Sequence, residues 1–218
     1  MPRKSSQRET KYLEPYRQAL DQYGPSFEAT LWFNEEVQIR RFDVLAEMLD
    51  PTGLRLLDAG CAQGELVHRL VEVGKSPGAY VGLDAFSDFT DAGRTKAPGA
   101  IAECRFEAID FVLEEGAFAR YEPEIVFFSG SLNTLSQAQA QQVVRRAYEA
   151  ATVGVAFNFL SDRHHPRFDD IDVKPAQRFR TAKMVDWALS LSHLVRFRQD
   201  YFEGHDASIC IRKVDPPS

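Results

Sequence analysis

Short apolar runs alternate with amphipathic segments from Gly53 to the C-terminus, and this alternation limits the folds open to the chain. The runs predict seven strands, over Leu54 to Ala59, Ala79 to Leu83, Ala100 to Glu107, Ile125 to Ser129, Val153 to Leu160, Leu194 to Tyr201 and Ala207 to Lys213. Helices are expected over Glu65 to Val73, Phe86 to Thr95, Ala138 to Ala151 and Thr181 to Leu191. Strands that alternate with helices build right-handed βαβ units. This predicts an α/β fold with a doubly wound, mostly parallel seven-stranded sheet.

The two ends of the chain depart from this alternation. The last two predicted strands are joined only by residues 202–206, which are too few for a crossover, so an antiparallel C-terminal hairpin is expected at one edge of the sheet. At the other end, helical patterns run from Arg8 to Tyr23 and from Asn34 to about Asp50. The expected organisation is an N-terminal helical extension or cap over residues 1–52 and one domain over residues 53–218.

Composition restricts the classes of partner. The 32 acidic and 26 basic side chains give a net charge of −6, which does not favour nucleic-acid binding, because phosphate contacts rely on an excess of Lys and Arg. No apolar run approaches the roughly 18 residues of a membrane span, and the N-terminus lacks the apolar segment of a secretory signal. We expect a cytoplasmic protein, monomeric or homodimeric, with no membrane partner.

The stretch LLDAGCAQGEL, residues 56–66, places two glycines between the first predicted strand and the next helix. In open α/β sheets ligands bind beyond the carboxyl ends of the strands, where glycine lets the backbone approach them closely. The loop departs from the GxGxxG pattern of dinucleotide-binding proteins. Asp58 and Glu65 flank the glycines, and these acids favour a ligand that carries positive charge.

This stretch resembles the first motif, (D/E)xGxGxG, of the class I S-adenosylmethionine-dependent methyltransferases, with alanine in place of the middle glycine. YVGLDAF, residues 80–86, is similar to the family's second strand, whose final acid binds the ribose hydroxyls and lies here 84 − 58 = 26 positions after Asp58. AIDF resembles the adenine-binding segment, and IVFFSGSLN resembles the fourth strand and its loop. The resemblance implies S-adenosylmethionine as the cofactor, bound by Asp58, Ala59, Gly60, Cys61, Gln63, Gly64, Asp84, Ala85, Phe86, Asp110, Phe111, Ser129, Gly130, Ser131 and Arg41.

Several of these residues have simpler alternative roles. Asp84 and Asp110 could cap the helices that follow them, and Phe111 could be a residue of the hydrophobic core with no ligand contact. Arg41 belongs to a Gln-x-x-Arg pattern found in the N-terminal helices of some small enzymes of this family, which implies contact with the methionine carboxylate of the cofactor. A surface salt bridge is the alternative for Arg41.

Methyl transfer mainly needs alignment of the reactants, and a base is needed only where the nucleophile holds its proton. His165 and His164, in the long irregular segment 161–180, are the candidates for that base, and two exposed loop histidines are the alternative. The candidate substrate-binding residues are Tyr16, Tyr23, Trp32 and Asn133, although aromatic residues at helical spacing are more often core. No metal site is expected, because the His and Asp residues of 164–172 fit no definite ligand spacing.

The resemblance therefore implies an enzyme, a methyltransferase that acts on oxygen or nitrogen of a small molecule. The loop SGSLN lacks the (D/N)PP(Y/F) motif of family members that methylate amino groups of nucleic-acid bases or of glutamine, which favours a small-molecule acceptor. Two alternatives stay open: a non-catalytic S-adenosylmethionine-binding protein and an NAD-dependent oxidoreductase.

Overall fold

A computed structural model describes residues 10–213. Its strands are β1 (Arg55–Ala59), β2 (Ala79–Asp84), β3 (Cys104–Ala108), β4 (Ile125–Phe128), β5 (Gly154–Ser161), β6 (Arg178–Phe179), β7 (Val195–Arg198) and β8 (Asp206–Arg212). The α-helices in this part of the chain are α1 (Glu14–Tyr23), α2 (Glu35–Met48), α3 (Glu65–Glu72), α4 (Ser87–Lys96), α5 (Gln137–Ala150) and α6 (Thr181–Leu191).

The strands form one sheet in the order β3-β2-β1-β4-β5-β8-β7, and β6 pairs with β5. Neighbours among β1 to β5 are parallel, whereas β8 runs antiparallel to both β5 and β7. The mostly parallel sheet and the C-terminal hairpin are therefore confirmed. All seven predicted strands are present, and the two residues of β6 add an eighth inside the segment predicted to be irregular.

Two strands are shorter than the patterns predict by three or more residues. The strand expected from Ala100 begins only at Cys104, because a turn in which Ile101 N–H donates to Pro98 O at 3.2 Å occupies the preceding residues. Strand β7 ends three residues earlier than expected. The connection from β7 to β8 folds instead into a short 3-10 helix, Phe202–Gly204.

The N-terminal segment supplies α1 and α2. Gly24, with a φ of 65°, ends α1, while the part of the predicted helix before Thr10 lies outside the described residues. The Asn34 side chain caps α2 by accepting the N–H of Val37 at 2.8 Å. Leu45 of α2 is fully buried in the core that the sheet shares. The division of the chain at residue 52 stays a prediction.

Helices cover both faces of the sheet. On one face α5 and α6 pack against β1, β4, β5 and β8, and on the other face α2 and α3 pack against the alternate residues of the same strands. Strand β5 is buried along its whole length, as a central strand between two layers of helices must be. Among the helices of residues 10–213, none is long and apolar enough to cross a membrane. The carboxyl ends of β1 to β5 meet at one edge of the sheet.

Candidate functional site

A cavity of about 550 Å³ lies at this carboxyl edge. The loops after β1, β2 and β4 line it, with Gly60, Asp84 and Ser129 among their residues. Trp32 from the segment between α1 and α2 and Phe168 from the segment between β5 and β6 also contribute to its wall. The volume is within the range of small-molecule sites, and its position is that of ligand sites in open α/β sheets.

The loop after β1 needs its glycines for its own packing. Gly60 and Gly64 have φ angles of 86° and 89°, a region that other residues rarely adopt. A Cβ on Gly60 would overlap the side chain of Ser131, and a Cβ on Gly64 would lie 2.7 Å from the ring of Phe106. Gly60 and Ala62 line the cavity, whereas Phe106 fills the space beside Gly64. Part of the room that the small residues leave is therefore taken by the protein itself.

Asp84 ends β2 and lies in the cavity wall, next to Ala85 and Phe86. Its carboxylate oxygens accept the N–H of Ala62 and the N–H of Phe86, both at 3.1 Å, and so tie the glycine loop to the start of α4. Burial raises the pKa of Asp84 to about 6, against the effect of these backbone donors. The group is thus mostly ionised at neutral pH, and it retains lone pairs for further donors.

Asp58 lies behind the loop rather than in the cavity wall. It is 2% exposed and accepts the hydroxyl of Tyr80 at 2.8 Å. Burial, with the charges of Glu65 and Asp84 adding to it, raises the pKa of Asp58 to about 7, although the bond from Tyr80 opposes the shift. Asp58, Glu65 and Asp84 thus place three acids around one loop, and a cationic ligand there would favour their ionised forms.

Three other loop residues from the resemblance do not line the cavity. Ala59 is fully buried. Gln63 accepts a hydrogen bond from Lys96 Nζ at 2.6 Å. Cys61 is 4% exposed, and burial raises the pKa of its thiol well above its ordinary value, which disfavours the reactive thiolate.

The loop after β4 is fixed by contacts to two other strands. Gly130 N–H donates to Asn158 Oδ1 at 2.8 Å, and Asn158 Nδ2 donates to Ser129 Oγ at 3.2 Å. Ser131 Oγ donates to Ala59 O at 2.5 Å. Local sequence patterns gave no sign of the role of Asn158, because it lies in the middle of a strand of otherwise apolar residues. The loop residues Ser129, Gly130 and Ser131 line the cavity.

Asp110 and Phe111 have different surroundings. Asp110 Oδ1 accepts the N–H of Val112 at 3.0 Å, and the hydroxyl of Tyr12 lies 2.7 and 2.6 Å from the two carboxylate oxygens. Asp110 therefore caps the following turn and anchors the N-terminal segment, and it does not line the cavity. Phe111 does line it, while packing at 6.0 Å against the ring of Phe128. Their predicted contacts with adenine stay predictions.

The N-terminal aromatic residues divide into two groups. Tyr16 lines the cavity, and its hydroxyl lies against Thr134 and near Asp84; burial raises the pKa of Tyr16 to about 12. Trp32 also lines the cavity and packs edge-on against a ring of the core at 6.2 Å. Tyr23 is half exposed and lies outside the cavity wall. The positions of Tyr16 and Trp32 therefore suit the substrate contacts predicted for them, whereas the position of Tyr23 does not.

Arg41 is not on the surface. It is 7% exposed, lies 4.7 Å above the ring of Trp32, and its Nη2 donates to Asp206 Oδ1 at 2.5 Å. Burial raises the pKa of Asp206, but Arg41 and His205 outweigh that effect and keep it below its ordinary value. Arg41, His205 and Asp206 all line the cavity. The ion pair joins residues 165 positions apart, so no local pattern could have indicated it.

The two predicted histidines lie outside the cavity wall. His164 Nδ1 is 3.6 Å from Asp169, and the His165 side chain is 59% exposed. His205, immediately before β8, is the histidine that lines the cavity. The antiparallel pairing of β8 with β5 places His205 beside the end of β5. The predicted C-terminal hairpin was therefore the sequence feature that could have indicated this histidine. Within residues 10–213, no group of His, Cys, Asp and Glu side chains is arranged to hold a metal ion.

No protein-family model and no curated protein sequence matches this chain, but solved structures match its fold. Magnesium protoporphyrin IX methyltransferase from Synechocystis PCC 6803 with bound SAH has a TM-score of 0.64 at 14% identity, over 94% of this chain and 96% of that one. Human N-acetylserotonin methyltransferase in complex with SAM has a TM-score of 0.63 at 15% identity, over 96% and 64%. A SAM-dependent methyltransferase from Archaeoglobus fulgidus has a TM-score of 0.63 at 12% identity, over 83% and 95%. This chain therefore has the class I, Rossmann-like methyltransferase fold.

Proposed function

We propose that this chain is an enzyme that transfers a methyl group from S-adenosylmethionine to an oxygen or nitrogen atom of a small molecule. The observation that carries the proposal is the carboxylate of Asp84 in the cavity wall, at the end of the second strand of this fold and bonded to the glycine loop. Two neighbouring ribose hydroxyls suit a carboxylate that still has free lone pairs.

The other residues of this end of the cavity also fit the cofactor. Phe86 and Phe111 offer apolar surface for an adenine ring. Asp58 and Glu65, which flank the glycine loop, suit a ligand with a positively charged sulfur and would repel a pyrophosphate placed at that loop. The NAD alternative also lacks its GxGxxG loop. The residues at this end of the cavity thus favour S-adenosylmethionine over a dinucleotide.

When bound, S-adenosylmethionine supplies an electrophilic methyl group on a sulfonium. The task of the chain is then to align the acceptor and to exclude water. Tyr16 and Trp32 cover the cavity from the N-terminal side, and Phe168 and Val173 cover it from the segment between β5 and β6. Both covers are built largely of apolar side chains, as a site that excludes water requires.

A hydroxyl acceptor must lose its proton, and His205 is the base that the geometry favours. Its side chain is in the cavity wall, and its Nδ1 lies 3.9 Å from Asp206 Oδ2, which can orient the ring. We expect His205→Gln to lower turnover at unchanged cofactor affinity. His165→Gln is the matched comparison, because His165 is outside the cavity. A larger loss of turnover in His165→Gln than in His205→Gln would indicate that His165 is the base.

The first test is calorimetric titration of the protein with S-adenosylmethionine, S-adenosylhomocysteine and NAD in parallel. We expect both sulfur ligands to bind and NAD not to bind. Asp84→Ala should weaken binding of the sulfur ligands by about 1–3 kcal/mol, the loss of charge-assisted hydrogen bonds. Asp88→Ala, an exposed acid in the first turn of α4, is the control and should bind like the wild type.

Three outcomes would contradict the proposal. Binding of NAD, or no binding of any of the three ligands, would remove the cofactor assignment. Binding of the sulfur ligands without methyl transfer to any member of a broad acceptor panel would favour the alternative of a non-catalytic binding protein.

A further inference from the structure

The half of the cavity formed by β4, β5, β8 and their covers combines aromatic side chains with a few charged ones, among them Arg41 and Asp206. We call it the acceptor half, and its uncharged lining includes Trp32, Phe33, Asn133, Leu160, Phe168 and His205. The ring of Phe168 packs against the ring of His205 with centroids 4.6 Å apart. Trp32 packs so closely on Gly130 that a Cβ there would lie 2.8 Å from the indole. At the mouth, the side chain of Phe33 is 89% exposed.

The charged side chains around this half are compensated in pairs. Arg41 pairs with Asp206 at 2.5 Å, and Lys174 lies 3.6 Å from Asp172. Arg167 pairs at 2.9 Å with Glu203, outside the cavity wall. The described residues that line this half therefore leave no acid, Lys or Arg without an opposite charge. An ionic acceptor would lose its hydration there without gaining a counter-charge.

Three buried polar atoms of the described residues that line this half lack a hydrogen-bond partner, and two of them, Nε of Arg41 and Oδ2 of Asp206, belong to the buried ion pair. The third belongs to an uncharged side chain. Asn133 is 6% exposed and lines the cavity, and its Oδ1 is buried without a hydrogen-bond donor. A buried amide oxygen without a donor is costly, so most such groups in folded proteins are bonded. A ligand that brings an O–H group to this oxygen would remove that cost.

We infer that the acceptor is an uncharged aromatic molecule with a hydroxyl group, bound with its ring against Trp32 and Phe168 and its hydroxyl toward Asn133. The inference rests on the proposed function and narrows it from oxygen or nitrogen of any small molecule to a neutral hydroxyaromatic class. The exposed ring of Phe33 extends the apolar wall past the mouth, so the aromatic system of the acceptor is expected to reach beyond a single ring.

The test uses three probes of similar size at pH 7.5: 4-phenylphenol, biphenyl-4-carboxylate and 4-phenylbenzylammonium. Each is titrated calorimetrically into the protein alone and into the protein with S-adenosylhomocysteine. We expect the phenol to bind about tenfold or more tightly than either ion, because the ions lose hydration without a counter-charge. An ion that binds as tightly as the phenol, or no binding by any probe, would overturn the inference. Failure of the proposed function would show separately, as no binding of S-adenosylhomocysteine.

Three variants locate the bound probe. Phe168→Ala should lower the affinity for the phenol about tenfold, as expected for loss of a buried aromatic contact. Asn133→Leu should lower the affinity for the phenol but not for the carboxylate. Leu189→Ala, at a half-exposed position on α6 outside the cavity wall, is the control and should change neither. Unchanged affinity for S-adenosylhomocysteine shows that each variant is folded, and an unaltered phenol affinity in both cavity variants would contradict the assignment.

Discussion

Three carboxyl groups, those of Asp58, Glu65 and Asp84, lie around the loop after β1, and burial is the main reason that the pKa of each is raised. A raised carboxyl pKa means that the folded chain holds protons which the unfolded chain has released, so these groups reduce stability as the pH rises. Neutral side chains of the same size would avoid this cost. A ligand with positive charge at this position would offset it.

We expect Asp58→Asn to change how the stability of the ligand-free protein depends on pH. The pKa of Asp58 is about 7 in the folded chain and about 3.9 in an unfolded chain. Between these values the wild type loses about 1.4 kcal/mol of stability for each unit of rising pH through this group, and the variant does not. In urea unfolding at pH 4, 6 and 8, the free energy of unfolding of the variant should therefore increase relative to that of the wild type as the pH rises.

The exposed acid Asp88 provides the control for this experiment. Asp88→Asn removes an exposed carboxyl of the same type and should not show the pH-dependent gain in stability expected for Asp58→Asn. A difference between Asp58→Asn and the wild type that is also constant with pH would show that Asp58 does not titrate in this range.

At the scale of elements, the loop after β4 depends on one side chain of β5. Asn158 is fully buried and bonds both Gly130 and Ser129. We expect Asn158→Ala to lower the free energy of unfolding by about 1–3 kcal/mol, because it leaves buried polar groups unpaired. Asn133→Ala is matched in burial but removes an oxygen without a partner, so its loss in urea unfolding should be smaller. Equal losses would mean that the bonds of Asn158 do not fix the loop.

Helix α1 is held to the domain partly through the hydroxyl of Tyr12, which donates to Asp110. Tyr12→Phe keeps the ring and removes only this bond. A bond to a charged group contributes about 1.5–3 kcal/mol, so amide hydrogen exchange should become faster across residues 14–23. Exchange in α5 is the internal control and should not change. If exchange in α1 stays as slow as in the wild type, its apolar contacts with Phe86 and Phe89 hold it without the bond.

Local patterns predicted the elements well, because strand burial and helix capping are set by neighbours in sequence. The alternation of Leu56 and Leu57, or of Val155 and Ala156, between the two cores is a direct case. The candidate site was less predictable. The cofactor contact that the resemblance implies for Arg41 stays a prediction, and its pairing with Asp206 could not be predicted, because only the position of β8 beside β5 brings that partner near.

At the scale of the whole molecule, the cavity joins parts of the chain that are distant in sequence. Its wall combines the N-terminal segment, the loops after β1, β2 and β4, the cover before β6 and the start of β8. The helices α2 and α3 pack on one face of the same sheet. A ligand that contacts all these segments binds only the folded chain, and its binding must then raise the stability of the fold as a unit.

This linkage gives a prediction for thermal unfolding. At a concentration of S-adenosylhomocysteine about 100 times its Kd, binding adds about 2.7 kcal/mol to the stability of the folded chain. For a chain of this length each kcal/mol raises Tm by about 2–4 °C, so the expected rise in scanning calorimetry is about 5–10 °C. NAD at the same concentration should leave Tm unchanged, and Asp84→Ala should reduce the shift because it weakens binding. A shift of equal size in Asp84→Ala would mean that the ligand binds elsewhere, and an equal shift with NAD would mean that the cavity does not distinguish the sulfonium cofactor from a dinucleotide.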